Sequence, residues 1–411
     1  MRGRPLLYTS YRGDIAIFNT GPKKALFALL VVLLLLLPLG LVPGLRWAAT
    51  NSWMSVFGEV AIFLIAALGL NLLTGLAGQV SLGHAFFMGL GAYTAAALGS
   101  PEGPLWGLGL PIWVWLPASG LVAALVGVLI APTSLRVRGL YLAIVTLGLV
   151  FIGQHLFRNL GFITGGSQSG RTFPRLELKL WKEETPLIDF QSDGAWFGID
   201  LSGQAKTLYL LLLFAGVGAL VAKNLQRTRT GRAFQSIRDR DIAAEITGVD
   251  EFRYKTLAFA LSSFFAGVAG ALFASFVSRT TPEAFGLSLS VEIIAIVLIG
   301  GAGVVSGMAL GSLFVIVLPL LVLNSTQWLA DLARTGDGLV QAIADFFVAT
   351  GAFDFGLVSA LPGASPGLNA FQMNQVLYGL LIVAFIIFEP LGLYGIWVRI
   401  RNYWKGWPFT Y

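Results

Sequence analysis

Ten apolar stretches recur along the chain, at about Ala25–Leu45, Val56–Thr74, Ser81–Leu98, Ile112–Ala131, Leu140–Leu156, Leu208–Ala222, Thr256–Val277, Leu287–Ile299, Val304–Leu323 and Val376–Tyr394. Most are long enough to cross about 30 Å of hydrocarbon as a helix. The 411 residues are 56% hydrophobic and 12% charged, which is more apolar surface than a soluble core can hide. The predicted fold class is therefore an all-α integral membrane protein with about ten transmembrane helices. The first stretch is too long for a signal peptide and has no small-residue cleavage site, so it reads as a retained span.

Charge decides which way such a chain threads. Arg2, Arg4, Arg12, Lys23 and Lys24 precede the first span. With that segment inside, the inner connections also receive Arg136, Arg138, Lys223, Arg227, Arg229, Arg232, Arg238, Arg240, Arg253, Lys255, Arg399, Arg401 and Lys405. These are 18 of the 27 basic residues, and the opposite threading would put them outside. The expected layout is a cytoplasmic segment 1–24, a multi-pass domain 25–394 and a cytoplasmic tail 395–411. Outer loops fall at 158–206, which reads as a small external cap or a mobile loop, and at 324–374, and a long inner loop at 223–255. An interfacial helix is expected near Leu339–Val348. The net charge of +6 is absorbed by this orientation signal, and no basic helix carries an aromatic stacking platform, so nucleic acid is not an expected partner.

Within this frame, Gly69–Thr94 (GLNLLTGLAGQVSLGHAFFMGLGAYT) is the most informative stretch. An apolar run breaks into small and polar residues between Gly75 and Gly83, through Gly78, Gln79 and Ser81, and resumes after His84. Non-helical backbone survives in lipid only where protein buries it or where it lines a wet cavity, so Gln79, Ser81 and His84 are candidates for a solute pathway. Glu292 is a further candidate, because an acid inside an apolar span is costly unless it has work to do. A hydrogen bond to a neighbouring helix or a place near the outer interface would also accommodate it. His84 and His155 read equally as helix-contact residues.

Gly303, Gly307 and Gly311 form a small-residue stripe suited to close helix packing. Their segment GGAGVVSGMA echoes GLAGQVSLGHA at Gly75–Ala85, and both turns fall on the same side. The inner loop Arg227–Lys255 reads as helical structure outside the bilayer. Phe234, Ile237, Ala244, Ile242 and Ile246 give it a partial apolar face, and Gly248 a stop. It is either a basic loop that sets topology or a docking surface for a soluble protein. The GGSQSGRT run at Gly165–Thr172 approaches a phosphate-cradling loop but has Arg171 in place of lysine and no preceding strand, so no nucleotide site is read from it. The absence of cysteine and the presence of only two histidines leave no metal pattern. No nucleophile, base and orienting group occur together, so the chain is not expected to be an enzyme or to hold a cofactor.

Five segments in order carry a family likeness: GLNLLTGLAGQVSLGHAFFMGLGAYT, LRVRGLYLAIVTLGLVFIGQHLFRN with FITGGSQSG, GRAFQSIRDRDIAAEITGVD, IGGAGVVSGMALG and LYGLLIVAFIIFEPLGLYG. Together they resemble the permease subunits of branched-chain amino-acid ABC importers, over about Val56–Tyr394. The resemblance implies a type II importer-like permease in the plasma (inner) membrane. Its partners would be a second permease subunit, two cytoplasmic ATPase subunits, an extracytoplasmic solute-binding protein and membrane lipid. It also implies that Gly231–Gly248 is the ATPase-coupling segment, through Gly231, Arg232, Ala244, Glu245 and Gly248. Urea importers have similar permeases, and a self-sufficient secondary transporter is the competing class. Two departures stand out: Met308, where such permeases often have proline, and the long 324–374 connection.

Overall fold

The computed structural model describes residues 21–41, 46–101, 103, 105–133, 137, 139–166, 170–180, 186–196, 198–335, 346–349, 358–359, 368–389 and 391–406. The basic N-terminal segment up to residue 20, Arg136, Arg138 and most of 339–348 and 361–368 lie outside the described residues.

Each predicted apolar stretch overlaps a helix. These are α1 (Gly21–Leu36), α2 (Asn51–Leu70), α3 (His84–Gly99), α4 (Ile112–Ile130), α5 (Leu140–Asn159), the single turn α6 (Gly161–Thr164) and α7 (Gly203–Leu225). They continue as α8 (Arg229–Asp239), α9 (Asp241–Ile246), α10 (Glu251–Val277), α11 (Leu287–Gly300), α12 (Val305–Thr335), α13 (Ala370–Phe388) and α14 (Gly392–Gly406). Among the described residues, six helices are long and apolar enough to cross a membrane, and a seventh span results if the pair Gln375–Phe388 and Gly392–Tyr403, bent by 46°, counts as one. Length accounts for the difference from ten: α1 and α3 have 16 residues each and α11 has 14.

Two spans form the centre. Asn51–Leu76 and Glu251–Val277 are 72% and 67% buried within the protein, against 33–39% for the other four, which leave one face for lipid or a partner. Helix α10 packs on α2, α3 and α4. Small residues permit this closeness: a Cβ on Gly91 of α3 would overlap the backbone of Gly267, and one on Gly270 would overlap that of Met88.

The structure corrects the expectation in two places. The fold is mostly but not purely helical. Within 158–206 and 279–280 lie β1 (Arg171–Thr172), β2 (Glu177–Leu178), β3 (Ile188–Asp189), β4 (Gly194–Trp196), β5 (Ile199–Leu201) and β6 (Arg279–Thr280). They pair antiparallel as β1 with β6, β2 with β3, and β4 with β5, while β7 (Val348–Ala349) pairs parallel with β8 (Val358–Ser359). The loop after α5 is thus a folded cap. Its centre is Arg171, 2% exposed, whose guanidinium donates to the carbonyls of Ala96 (2.7 Å), Ile163 and Trp106. Burial pulls the pKa of this guanidinium below the usual arginine value. The residue that broke the phosphate-loop pattern therefore ties α3, α6 and the 101–110 turn together.

The second correction concerns α12, expected to end at Leu323 and in fact running on to Thr335. The polar residues after Leu323 are absorbed within the helix, for instance by Thr326 Oγ1 donating to the Val322 carbonyl at 2.8 Å.

Candidate functional site: two glycine turns clamped by a surface helix

Helix α2 widens into a π-turn over Asn71–Leu76, in which Ala77 N donates to Leu72 O at 3.2 Å, five residues back. Such turns recur at functional sites. Gln79 N then donates to Leu73 O at 3.0 Å and Thr74 Oγ1 to Gln79 O at 3.0 Å, while Gly78 turns the chain at φ +69°, a conformation that favours glycine.

From there the backbone runs without helix until His84 and climbs into the bundle. Gly78 lies against Arg238 of α8, where an added Cβ would meet the arginine Cγ at 3.0 Å. Four residues on, Leu82 N donates to Thr146 Oγ1 of α5 at 2.9 Å, and Ala85 N donates to Ser290 Oγ of α11 at 3.1 Å. The His84 ring Nε2 donates to Ala66 O of α2 at 2.9 Å. Ala66 lies nine residues before Gly75, about 13 Å further along at 1.5 Å per residue. Helix α3 therefore starts in the interior, which explains its short length. The chain between the two helices is irregular backbone inside the bundle, held by the Thr146 hydroxyl of α5, while the Ser290 hydroxyl of α11 holds the first turn of α3.

The second glycine turn, between α11 and α12, meets the first. Gly301 and Gly303 have φ of +107° and +91°. Gly303 N donates to Asn71 Oδ1 at 2.6 Å, and a Cβ on Gly75 would stand 2.5 Å from that nitrogen. Behind it, Gly307 and Gly311 pack on the backbone of Gly300. The two sequence segments that echo one another are in direct contact.

Both turns are held from one surface element. Arg238 Nη1 donates to Gly75 O at 2.5 Å, supplying a partner for a carbonyl that the helix end leaves open. Gln226, just before α8, donates from Nε2 to Gly303 O at 3.1 Å. Thr228 caps α8 by accepting from Gly231 N at 3.4 Å. The face of α8 toward the bundle is apolar: Ala233, Phe234 and Ile237 are buried, and Phe234 meets Tyr254 edge-on at 6.3 Å.

The partial apolar face of this segment is split. Phe234, Ile237 and Ala244 turn inward, whereas Ile242 and Ile246 of α9 are 64% and 82% exposed, beside exposed Glu245. Gly248 ends the segment at φ +87° with its N–H on Glu245 O at 2.9 Å. Arg232 is exposed and donates to Arg227 O at 3.0 Å, and Gly231 is buried against the Leu225–Gln226 backbone.

The four candidate pathway residues do not form one cluster. Gln79 is 5% exposed, has both side-chain polar atoms buried without a partner, and lines a cavity of about 220 Å³ beside Arg238. Ser81 and His84 lie deeper, both 1% exposed. The Ser81 hydroxyl accepts from Gly83 N at 3.3 Å, and Gly83 packs against Thr146. Glu292 is on the same helix as Ser290 but about 200° around it at 3.6 residues per turn, so it faces away from α3. It lies within electrostatic reach of Glu59 on α2 and Tyr378 on α13. At the opposite end of the bundle, clefts of about 710 and 620 Å³ share Thr172, Phe173 and Arg175.

A five-part likeness in sequence order and this clamped pair of turns pose a definite question of kinship. The family model for the permease component of branched-chain amino acid transport systems matches residues 52–388. The chain belongs to that family. The match takes in both glycine turns, α8, α9 and the cap. The high-affinity branched-chain amino acid transport system permease protein LivM of Escherichia coli strain K12 is 37% identical over 264 residues, covering 62% of this chain and 60% of LivM. LivM of Salmonella typhimurium strain LT2 is 38% identical over 250 residues, covering 59% and 57%. The autoinducer 2 import system permease protein LsrC of Yersinia pestis strain Pestoides F is 27% identical over 297 residues, covering 69% and 73%. The chain thus aligns with about 60% of the length of the LivM proteins it matches. No solved structure matches.

Three residues that organise the site went unread in the sequence: Asn71, Gln226 and Arg238. Asn71 was the legible one, being a lone amide inside an otherwise apolar helical run. Gln226 and Arg238 look like ordinary members of a basic loop, and only the fold brings them to the glycine carbonyls.

Proposed function

We propose that this chain is one membrane subunit of a binding-protein-dependent importer that moves branched-chain or other apolar amino acids inward, driven by ATP hydrolysed on separate subunits. The observation that carries the reading is the clamp. One surface segment holds, through Arg238 and Gln226, the backbone of both glycine turns, and shows Ile242 and Ile246 to the outside.

On this reading the end bearing α8 and α9 is cytoplasmic, as are both termini, and ten helical segments cross the plasma (inner) membrane as in type II importers. The exposed isoleucines seat α9 in a groove of an ATPase subunit, with Arg232 and Glu245 at the rim. When that subunit changes state, α8 moves, and the hydrogen bonds pass the displacement to Gly75 and Gly303. The irregular backbone from Ala77 to Gly83 then shifts relative to α5 and α11, so the path opens alternately to each side. Ser81 and His84 position that backbone. Glu292 belongs to a separate wall of the path. A second permease subunit completes the pathway, and a solute-binding protein delivers to the end bearing the two large clefts.

The likeness to LivM supports the solute class. Co-purification tests the assembly: an ATPase subunit retained by the wild-type chain and lost when Arg232 and Glu245 are both replaced supports it. A chain that transports solute on its own under an ion gradient would replace it. Competition of labelled leucine uptake by urea or autoinducer 2, with no competition by valine or isoleucine, would reassign the solute.

A further inference from the structure

The cavity beside Gln79 has a composition that the clamp does not need. Its wall combines the apolar side chains of Ala77, Val137 and Leu142 with the charged residues Asp239, Arg240 and Asp241, and with Gln79 itself. Asp239 and Arg240 form no ion pair among the described residues. Nearby cations are already engaged: Arg238 on Gly75 O, and Lys255 in an ion pair with Glu251. Asp241 is engaged as well, accepting from Ile242 N at 2.9 Å, which leaves the Asp239 carboxylate, the Arg240 guanidinium and the Gln79 amide around a partly apolar space of about 220 Å³.

Gln79 supplies the independent sign of a ligand. Both its polar atoms are buried and unpartnered. A buried amide left in that condition is destabilising, and native proteins rarely keep one without a use. A rotation of its side chain toward the cavity it lines would bring a donor and an acceptor side by side.

We infer that this cavity is a binding site for a free zwitterionic amino acid with a small apolar side chain. Arg240 pairs with its carboxylate, Asp239 with its ammonium, Gln79 bridges the two, and Val137 and Leu142 receive the side chain. The site sits between the irregular segment and α8, so its occupancy opposes any movement of α8 relative to Gly78. It is a station on the side where solute is released, at which accumulated amino acid slows the transporter. The choice of amino acid rests on the function proposed above.

The natural chain has no cysteine, which makes a direct test available. In the assembled complex without solute-binding protein, labelled L-leucine should bind saturably. Gln79→Ala and Asp239→Asn should each weaken it about tenfold or more, as expected for a lost charge-assisted hydrogen bond. Leucinamide and 4-methylvalerate, which lack the carboxylate and the ammonium respectively, should not compete. A single cysteine at Val137→Cys should react with maleimide more slowly in saturating leucine, a readout that also shows that the variant has kept the cavity. The inference is overturned by absence of saturable binding and protection in the wild-type background, by equal competition from inorganic phosphate, or by variants that bind as the parent does. ATP-driven leucine uptake measured in parallel separates the two claims. Uptake without binding removes this site and leaves the proposed function, whereas binding without uptake does the reverse.

Discussion

Replacing Arg238 by methionine keeps most of the side-chain length and removes the charge that holds Gly75 O. A hydrogen bond from a charged donor contributes about 1.5–3 kcal/mol. Arg238 is exposed along much of its length, so the lower end applies, about 1.5 kcal/mol. If the bond transmits movement from α8 to the turn, losing it lowers the coupling between the surface segment and the membrane break by about tenfold. The packing of Phe234 and Ile237 is untouched, so the helix stays in place and continues to bind its partner. The assay is the ratio of solute moved to ATP hydrolysed in proteoliposomes that contain the complete importer. The expected result is ATP hydrolysis near the wild-type rate with uptake reduced about tenfold. A variant with an unchanged transport ratio would refute the view that Arg238 carries the movement, and one that loses the ATPase subunit would show that it acts in docking instead.

Asn71→Ala leaves Gly303 N without its 2.6 Å acceptor, and should destabilise the protein by about 1–3 kcal/mol, read as a lower midpoint of thermal unfolding in detergent. Replacing Ile242 and Ile246 together by aspartate should abolish co-purification of the ATPase subunit while leaving the elution profile and unfolding midpoint of the chain unchanged, because both side chains are exposed. Arg171→Met removes the charged donor shared by the carbonyls of Ala96, Ile163 and Trp106, and should lower the yield of folded protein and speed proteolysis within 158–206.

The membrane class, the helical segments and the glycine break were legible in the sequence because hydrocarbon length and backbone satisfaction act locally. The extent of the break was not. Nothing between Gly75 and His84 states that the chain travels about 13 Å into the bundle before α3 begins, since Thr146 and Ser290 decide it from 64 and 205 residues away. The echo between the two glycine segments was visible, but their contact was not, because it depends on Asn71 reaching Gly303. The apolar face expected on the 227–255 loop needed the fold to divide it: Phe234 and Ala244 serve the interior, and only Ile242 and Ile246 remain for a partner. The place of Glu292 inside an apolar span makes it a pathway candidate beside Gln79, but the helical rotation from Ser290 sets it on another wall. The strands of the cap were not legible, because they are two or three residues long and show no periodicity.

The most direct test of the central claim is leucine uptake into proteoliposomes that hold this chain together with its second permease subunit and the ATPase subunits, with the solute-binding protein supplied outside and ATP inside. The account predicts accumulation that requires both ATP and the binding protein, and that stops when either is omitted. Accumulation by this chain alone, driven by an ion gradient and indifferent to ATP, would contradict it.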